Sequence, residues 1–374
     1  MRRYFLNLTS LATVLAVVGM TFPASSLNMS RAASPLVQTH ARAVLAAGAS
    51  ASPARGDRAA VVWHDPSPHK VRYVRISKNV QLEVLDWGGS GAPIILLAGS
   101  GDTAHVFDEF APTIAARHHV YGITRRGYGA SGYDPLQYGS DRLGDDVVAV
   151  MDALELQRSI LMGHSFAGAE LSDVATRYPG RIAGLVYLEA AYTFAFRGEG
   201  APTMDEFQQL LSEEPKPPAP VPADLASFTA LQAYYERMTG IRIPEAELRQ
   251  QWEGTADGRV SARRSFPGRA TITEGAREFS HIAAPALVVF ANPHNLGPWL
   301  NHNPDPSIAT AVKAYQIKYA DFTKRQAKAV ADGMPNAHVV TLRNANHRIF
   351  LSNQTEVLKR ALDAWELVES APPQ

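Results

Sequence analysis

Cysteine is absent from the 374 residues. That excludes disulfides, thiolate nucleophiles and cysteine-ligated metal sites together. It leaves the compartment open, because an exported protein can do without disulfides. Neither sign of charge is in excess, with 36 basic residues against 36 acidic ones. Nothing in that balance calls for nucleic acid or an anionic membrane surface as a partner. Long apolar runs are also lacking. The strongest, Leu8 to Phe22, is short for a stable membrane span. What remains is ordinary for a globular chain: hydrophobic residues make up 46% and charged ones 19%, enough for a sizeable core. The length suits one large domain with an insertion, or two modest ones.

The amino terminus carries its own pattern. Arg2 and Arg3 precede the apolar run, which ends at Pro23 and the small residues Ala24-Ser25-Ser26. Charged start, short apolar centre and small-residue exit describe an export signal over residues 1–30. The order Arg2-Arg3-Tyr4-Phe5-Leu6-Asn7 resembles a twin-arginine signal, so a periplasmic or secreted location is expected. An uncleaved membrane anchor is the alternative. Residues 31–60, rich in Ala, Ser and Arg without apolar period, read as a low-complexity lead-in.

Folded sequence begins near Val61. Val71–Ile76 and Val80–Trp87 read as an antiparallel hairpin, and Pro93–Ala98 as a strand buried on both faces. Similar short apolar runs recur at His119–Thr124, Ser159–Met162, Ile182–Leu188, Ala286–Ala291 and His338–Leu342. Helical patterns lie between them at Ala104–Arg117, Asp141–Leu156 and Ala167–Tyr178, with a last one at Gln354–Val368. This alternation predicts an α/β fold with an eight-stranded, mostly parallel sheet flanked by helices. Between Leu188 and Ala286 the rhythm breaks. A proline-rich stretch, Pro215–Pro222, and helical patterns at Ser227–Thr239 and Glu245–Trp252 suggest an inserted helical cap over residues 192–283. The core would then comprise 61–191 and 284–370.

Ser165 stands in the turn Gly163-His164-Ser165-Phe166-Ala167-Gly168, after an apolar strand and before a helix. A serine at such a turn has its hydroxyl pushed out above the carboxyl edge of the sheet, and crowded backbone demands small neighbours. A plain helix N-cap serine is the bland alternative. Ala167 occupies a position where glycine is usual, and Gly168 follows it.

With Leu85-Asp86-Trp87-Gly88-Gly89-Ser90-Gly91, Leu96-Leu97-Ala98-Gly99-Ser100-Gly101, Arg126-Gly127-Tyr128-Gly129-Ala130-Ser131, the serine turn and Asn344-Ala345-Asn346-His347 in this order, the stretch from Tyr73 to Glu366 resembles the α/β-hydrolase family, in its cap-bearing serine hydrolase branch. The resemblance implies Ser165 as nucleophile and His347 as base. It also implies the backbone N–H groups of Ser100 and Phe166 as the oxyanion hole. Ala98 replaces the family's usual histidine, which a backbone donor does not need. The family's usual aspartate after the penultimate strand is missing from Asn292-Pro293-His294-Asn295. Some members, haloalkane dehalogenases among them, carry the acid one strand earlier, which points to Glu189, with Asp305 as second candidate and a structural role for Glu189 as the rival reading. His164 is a poorer base, its side chain expected to point away from the serine.

His294, Asn295, His302 and Asp305 match no metal spacing, so neither metal nor cofactor is expected. Tyr234 and Trp299 are expected as pocket walls for a small, mainly apolar ester. The same residues admit a lactone, amide or C–C hydrolase, or a ligand-binding protein with little catalysis. Oligomeric state is not legible here.

Overall fold

The computed structural model describes residues 63–369 apart from 135–137, 269–271, 273–276 and 303–304, with the side chains of 302 and 362–369 also left out. The expected export signal and the whole of the lead-in lie outside these residues. The folded part falls in one compact unit, Arg58–Gln374.

Eight strands form one sheet: β1 (Lys70–Arg75), β2 (Gln81–Gly88), β3 (Pro93–Leu97), β4 (His119–Ile123), β5 (Ser159–His164), β6 (Ile182–Leu188), β9 (Ala286–Ala291) and β10 (Ala337–Leu342). Their order is β1-β2-β4-β3-β5-β6-β9-β10. β1 and β2 pair antiparallel, as does β2 with β4, and every other pairing is parallel. The central strands are apolar on both faces because both faces are covered. Ile95, Leu161, Tyr187 and Phe290 point into one buried cluster, with helices α2 (Ser140–Ala153), α3 (Ala167–Arg177) and α7 (Pro306–Gly333). Their strand neighbours Ile94, Ile160, Val186 and Val289 point into the other, with α1 (Ala111–Ala115), α8 (Ile349–Ser352) and α9 (Gln354–Glu369).

Three differences from the sequence reading have local causes. The helix expected over Ala104–Arg117 is a 3₁₀ turn, Ala104–Phe107, followed by the short α1, with Pro112 in the first turn of α1. The 28-residue α7 was not foreseen. Its buried positions mix Val312, Tyr315, Tyr319 and Phe322 with Thr323 and Gln326, which blurs the apolar stripe. Helix α4 (Met204–Glu213) was also unforeseen, although Thr203 and Glu206 form a reciprocal capping box at its start.

Between β6 and β9 the chain runs through α4, α5 (Phe228–Thr239), α6 (Glu245–Gln251) and a two-stranded hairpin, β7 (Trp252–Gly254) with β8 (Val260–Arg263). α5, α6 and the hairpin share a small core of their own, including Phe228, Leu231, Leu248 and Val260. α4 instead lies on α7, through the Phe207–Phe322 ring contact and the Glu206–Arg325 ion pair.

Gly168 is where the strand-to-helix turn is tightest. A Cβ there would sit 1.9 Å from the carbonyl oxygen of Ala190, a backbone atom unable to move aside. Gly→Ala inside a helix ordinarily stabilises by about 0.5–1 kcal/mol. Here the sign should reverse: Gly168→Ala is expected to lose at least about 2 kcal/mol, read as a lower urea midpoint. Unchanged or raised stability would contradict the packing described.

Candidate active site

The carboxyl ends of the parallel strands converge on one place. Ser165 follows β5 and Glu189 follows β6, both at φ 53°. A positive φ is costly for a residue with a Cβ and persists only where the surroundings impose it. Here the ladders impose it: Ser165 N–H donates to Leu188 O at 3.1 Å, and Glu189 N–H to Val289 O at 2.8 Å. His294 follows β9 and His347 follows β10.

His347 joins the first two. Its Nε2 lies 3.0 Å from Ser165 Oγ and its Nδ1 lies 3.2 Å from Glu189 Oε2. Glu189 is fully buried. Its Oε1 accepts from Tyr192 Oη at 2.9 Å and from the Ala291 N–H at 2.5 Å. Its Oε2 accepts from Tyr319 Oη at 3.1 Å and also faces His294 Nε2 at 2.5 Å. Burial alone would raise this carboxyl's pKa, but His294 and His347 outweigh it and hold Glu189 well below the usual carboxylate range. The group is a carboxylate at any working pH.

His164 lies against His347, with ring centroids 4.7 Å apart, and its Nε2–H donates to the His347 carbonyl at 3.1 Å. Burial first, then His347, pushes His164 down to about 3, so it is neutral. Its side chain therefore supports the backbone of His347.

The loop after β3 faces Ser165 from the other side. A Cβ on Gly99 would meet Ser165 Cβ at 3.0 Å, so only glycine allows this approach. The loop is held from below by Arg125, which donates to the carbonyls of Ala98 and Gly99 at 2.8 and 3.1 Å while its Nε meets Glu170 Oε1 at 2.5 Å. Those bonds involve main chain at Ala98 and make no demand on its side chain. Ser100, Ser165, Phe166, His294 and His347 border one cavity of about 160 Å³. Its remaining walls are Tyr192, Phe207, Leu210, Leu211 and Glu214 with Tyr315 and Tyr319 of α7.

Neither expected pocket wall is among them. Tyr234 is buried within the insertion and its hydroxyl donates to Pro218 O, whereas Trp299 Nε1 donates to Leu296 O at 2.9 Å. Each aromatic is satisfied locally, and the cavity is walled by α4 and α7 instead. Asp305 is not near the histidine either: its side chain caps α7, accepting from Ser307 N–H at 2.8 Å. Asn295 Oδ1 accepts from Gly297 N–H, and the side chain of His302 lies outside the described residues. Among the described side chains of that sequence cluster, His294 reaches the site. Glu189, His294 and His347 are close enough together to hold a divalent ion, although hydrogen bonds already join all three.

A second polar network joins the same loop to the insertion. Arg348, next to the histidine, makes a bidentate pair with buried Asp102 at 2.8 and 3.1 Å. Gln251 Nε2 bridges Asp102 and Glu247 at 2.9 and 2.6 Å. Glu247, on α6 and fully buried, accepts from Thr103 N–H and from Thr103 Oγ1 at 2.5 Å. This network is not legible in the sequence, because its members lie far apart along the chain.

Against this geometry, the model of the alpha/beta hydrolase family matches residues 94–360. The chain belongs to that family. It is 27% identical over 241 residues to AB hydrolase superfamily protein YisY of Bacillus subtilis, covering 61% of this chain and 83% of the relative. It is also 32% identical over 107 residues to 2-hydroxymuconate semialdehyde hydrolase of Pseudomonas sp., covering 28% of this chain and 38% of that one. The chain spans 28–38% of the length of three curated relatives that it matches. Among solved structures it resembles E-2-(acetamidomethylene)succinate hydrolase, with TM-score 0.56, 17% identity and coverage of 80% of this chain and 99% of that one. A carboxylesterase of Bacillus subtilis gives TM-score 0.52 at 15% identity, over 80% and 92% of the two chains. These structural likenesses concern the fold.

Burial, and then the nearby Asp102 carboxylate, push Glu247 up from 4.5 to about 8. Between those values the unfolded chain has lost this proton and the folded chain keeps it. Folding therefore takes up a proton, and the contribution to stability is lost as pH rises through that window, at up to about 1.4 kcal/mol per pH unit. Glu247→Gln should remove that slope. Urea midpoints at pH 5, 6.5 and 8 should fall for the native chain relative to the variant, and parallel profiles would contradict a protonated Glu247.

Proposed function

We propose that this protein is a serine hydrolase that cleaves small, mainly apolar esters through an acyl-enzyme. One observation carries the reading: the hydrogen-bonded series Ser165–His347–Glu189 opens into a cavity that Ser100 and Phe166 also border. In the forward half-reaction Ser165 Oγ forms a bond to the ester carbonyl carbon and passes its proton to His347 Nε2. The carbonyl oxygen becomes negative within reach of the Ser100 and Phe166 N–H groups. The carbon–oxygen bond to the alcohol breaks, and His347 returns the proton to it. Water then repeats the sequence: it yields a proton to His347, attacks the acyl carbon, and releases the acid with Ser165 restored. Glu189 stays ionised throughout, holds the Nδ1–H of His347 and stabilises the transient imidazolium.

The cavity supports small substrates. Phe207, Leu210 and Leu211 of α4 make one wall apolar. The relatives' names span an epoxide hydrolase, a 2-hydroxymuconate semialdehyde hydrolase and non-heme chloroperoxidases. Ser165 supports acyl transfer over epoxide opening, because the epoxide hydrolases that the fold resembles attack with an aspartate at this position. The basic and apolar start of the chain supports export. Activity confined to the cytoplasmic fraction of producing cells would count against that.

A fluorophosphonate probe should label the protein, and Ser165→Ala should abolish the label. An idle serine, as in a ligand-binding protein of this fold, would not react. With short p-nitrophenyl esters, Glu189→Gln is expected to lower kcat by about 10²–10⁴-fold while KM changes little. Near-native turnover in that variant would remove Glu189 from the mechanism.

A further inference from the structure

Away from the serine, four potential ligands meet where the chain enters the sheet. Asp65 and His69 lie in the segment before β1, and His105 and Asp108 lie on and just after the 3₁₀ turn that follows the Ser100 loop. One ligand atom from each of the four lies within 4.8 Å of the others. The Nδ1 atoms of both histidines face the same carboxylate: His69 Nδ1 is 2.9 Å from Asp108 Oδ1, and His105 Nδ1 is 3.1 Å from Asp108 Oδ2. Asp65 Oδ2 stands 3.2 Å from His105 Nδ1. Three of the four side chains are 3–6% exposed, and Asp65 is 22% exposed.

We propose that Asp65, His69, His105 and Asp108 form a structural zinc site. Two imidazole nitrogens and two carboxylate oxygens are a donor set that zinc accepts, and four protein ligands would leave no open position for catalysis. Bonds of about 2.0–2.2 Å in a tetrahedron place neighbouring ligand atoms about 3.4 Å apart. The 2.9, 3.1 and 3.2 Å spacings would open by a few tenths of an ångström, while wider ones, such as the 3.7 Å between His69 Nε2 and Asp65 Oδ2, would close or be replaced as the side chains turn toward the ion. The surroundings also suit a metal. Asp65 Oδ1 already accepts from Ser67 N–H at 2.9 Å, which leaves Oδ2 for the ion. Glu83 Oε1 lies 3.7 Å from His105 Nε2, on the far side of the imidazole, as an outer carboxylate that fixes a ligating histidine does. With Glu83 included, three carboxylates face two histidines, a negative cluster that a dication offsets. Bound zinc would pin the entering segment to the turn that continues the Ser100 loop, a cross-link in a chain that has no cysteine.

The test uses the full chain, stripped with a chelator and titrated with zinc chloride. One zinc per chain by calorimetry and by elemental analysis is expected, with Tm raised by several degrees on loading. His105→Ala/Asp108→Asn should weaken zinc binding at least about 100-fold. Asp65→Asn, a milder change at the least buried ligand, should weaken it at least about tenfold and covers the event that the double variant fails to fold. His294→Asn must leave the stoichiometry unchanged, since that residue belongs to the other histidine cluster. Absence of stoichiometric binding to the native chain would overturn the proposal. So would binding that survives Asp65→Asn undiminished, or binding that His294→Asn removes.

Discussion

A single buried negative charge organises the carboxyl edge of the sheet in this molecule. Glu189 has no exposed surface, and an unpaired carboxylate there would be untenable. It is kept ionised by groups drawn from four separate parts of the chain: Tyr192 beside it, Ala291 and His294 at the end of β9, Tyr319 on α7 and His347 after β10. Each of these elements must be in place for the charge to be tolerated. The loop after β9, where the family usually carries an aspartate, supplies a histidine to the same glutamate oxygen. The carboxylate thus follows β6 and an imidazole follows β9, and His347 still finds an anion at Nδ1.

The Ser100 loop depends on a second set of constraints. From beneath, buried Arg125 fixes the carbonyls of Ala98 and Gly99, and Glu170 of α3 in turn holds Arg125. From above, Glu247 of α6 takes hold of Thr103 through both backbone and side chain. Asp102 then ties the loop to Arg348, one residue from His347. The segment between β6 and β9 is therefore more than a wall over the cavity. Through α6 it bears on the backbone of the Ser100 loop, and through α4 it supplies an apolar wall of the cavity beside Ser165.

Most of the sheet was legible in the sequence, because parallel strands covered on both faces write themselves as short apolar runs between helices. Ser165, His347 and Glu189 were legible for a related reason: each directly follows such a run or a motif tied to one. What escaped was whatever depends on contacts across long sequence distances. Tyr319 belongs to a helix whose buried side mixes aromatic and aliphatic residues with Thr323 and Gln326, so its period is faint. His294 was visible as a residue but lacked a partner until folding brought Glu189 beside it. Tyr234 and Trp299 drew attention as large aromatics, yet a nearby carbonyl satisfies the polar atom of each. Identity alone does not tell a packing aromatic from a wall of the cavity. Asp65, His69, His105 and Asp108 escaped similarly, being two close pairs from segments whose approach only the sheet determines.

Backbone strain follows the same geography. Among the described residues, Ser165, Glu189 and Asn344 are non-glycine residues at positive φ that follow strands at the carboxyl edge of the sheet. Each such conformation costs on the order of 1–3 kcal/mol and would relax if its neighbours allowed it. They do not allow it. Gly99 brings one loop against Ser165, Gly168 brings α3 against Ala190, and the ladder bonds of Ser165 and Glu189 continue the sheet past the last regular residue. The dense core beneath the edge thus holds the serine hydroxyl and the glutamate carboxylate rigidly on adjacent strands. With both ends of the series fixed, His347 needs only its own loop and the His164 bond to its carbonyl to stand between them.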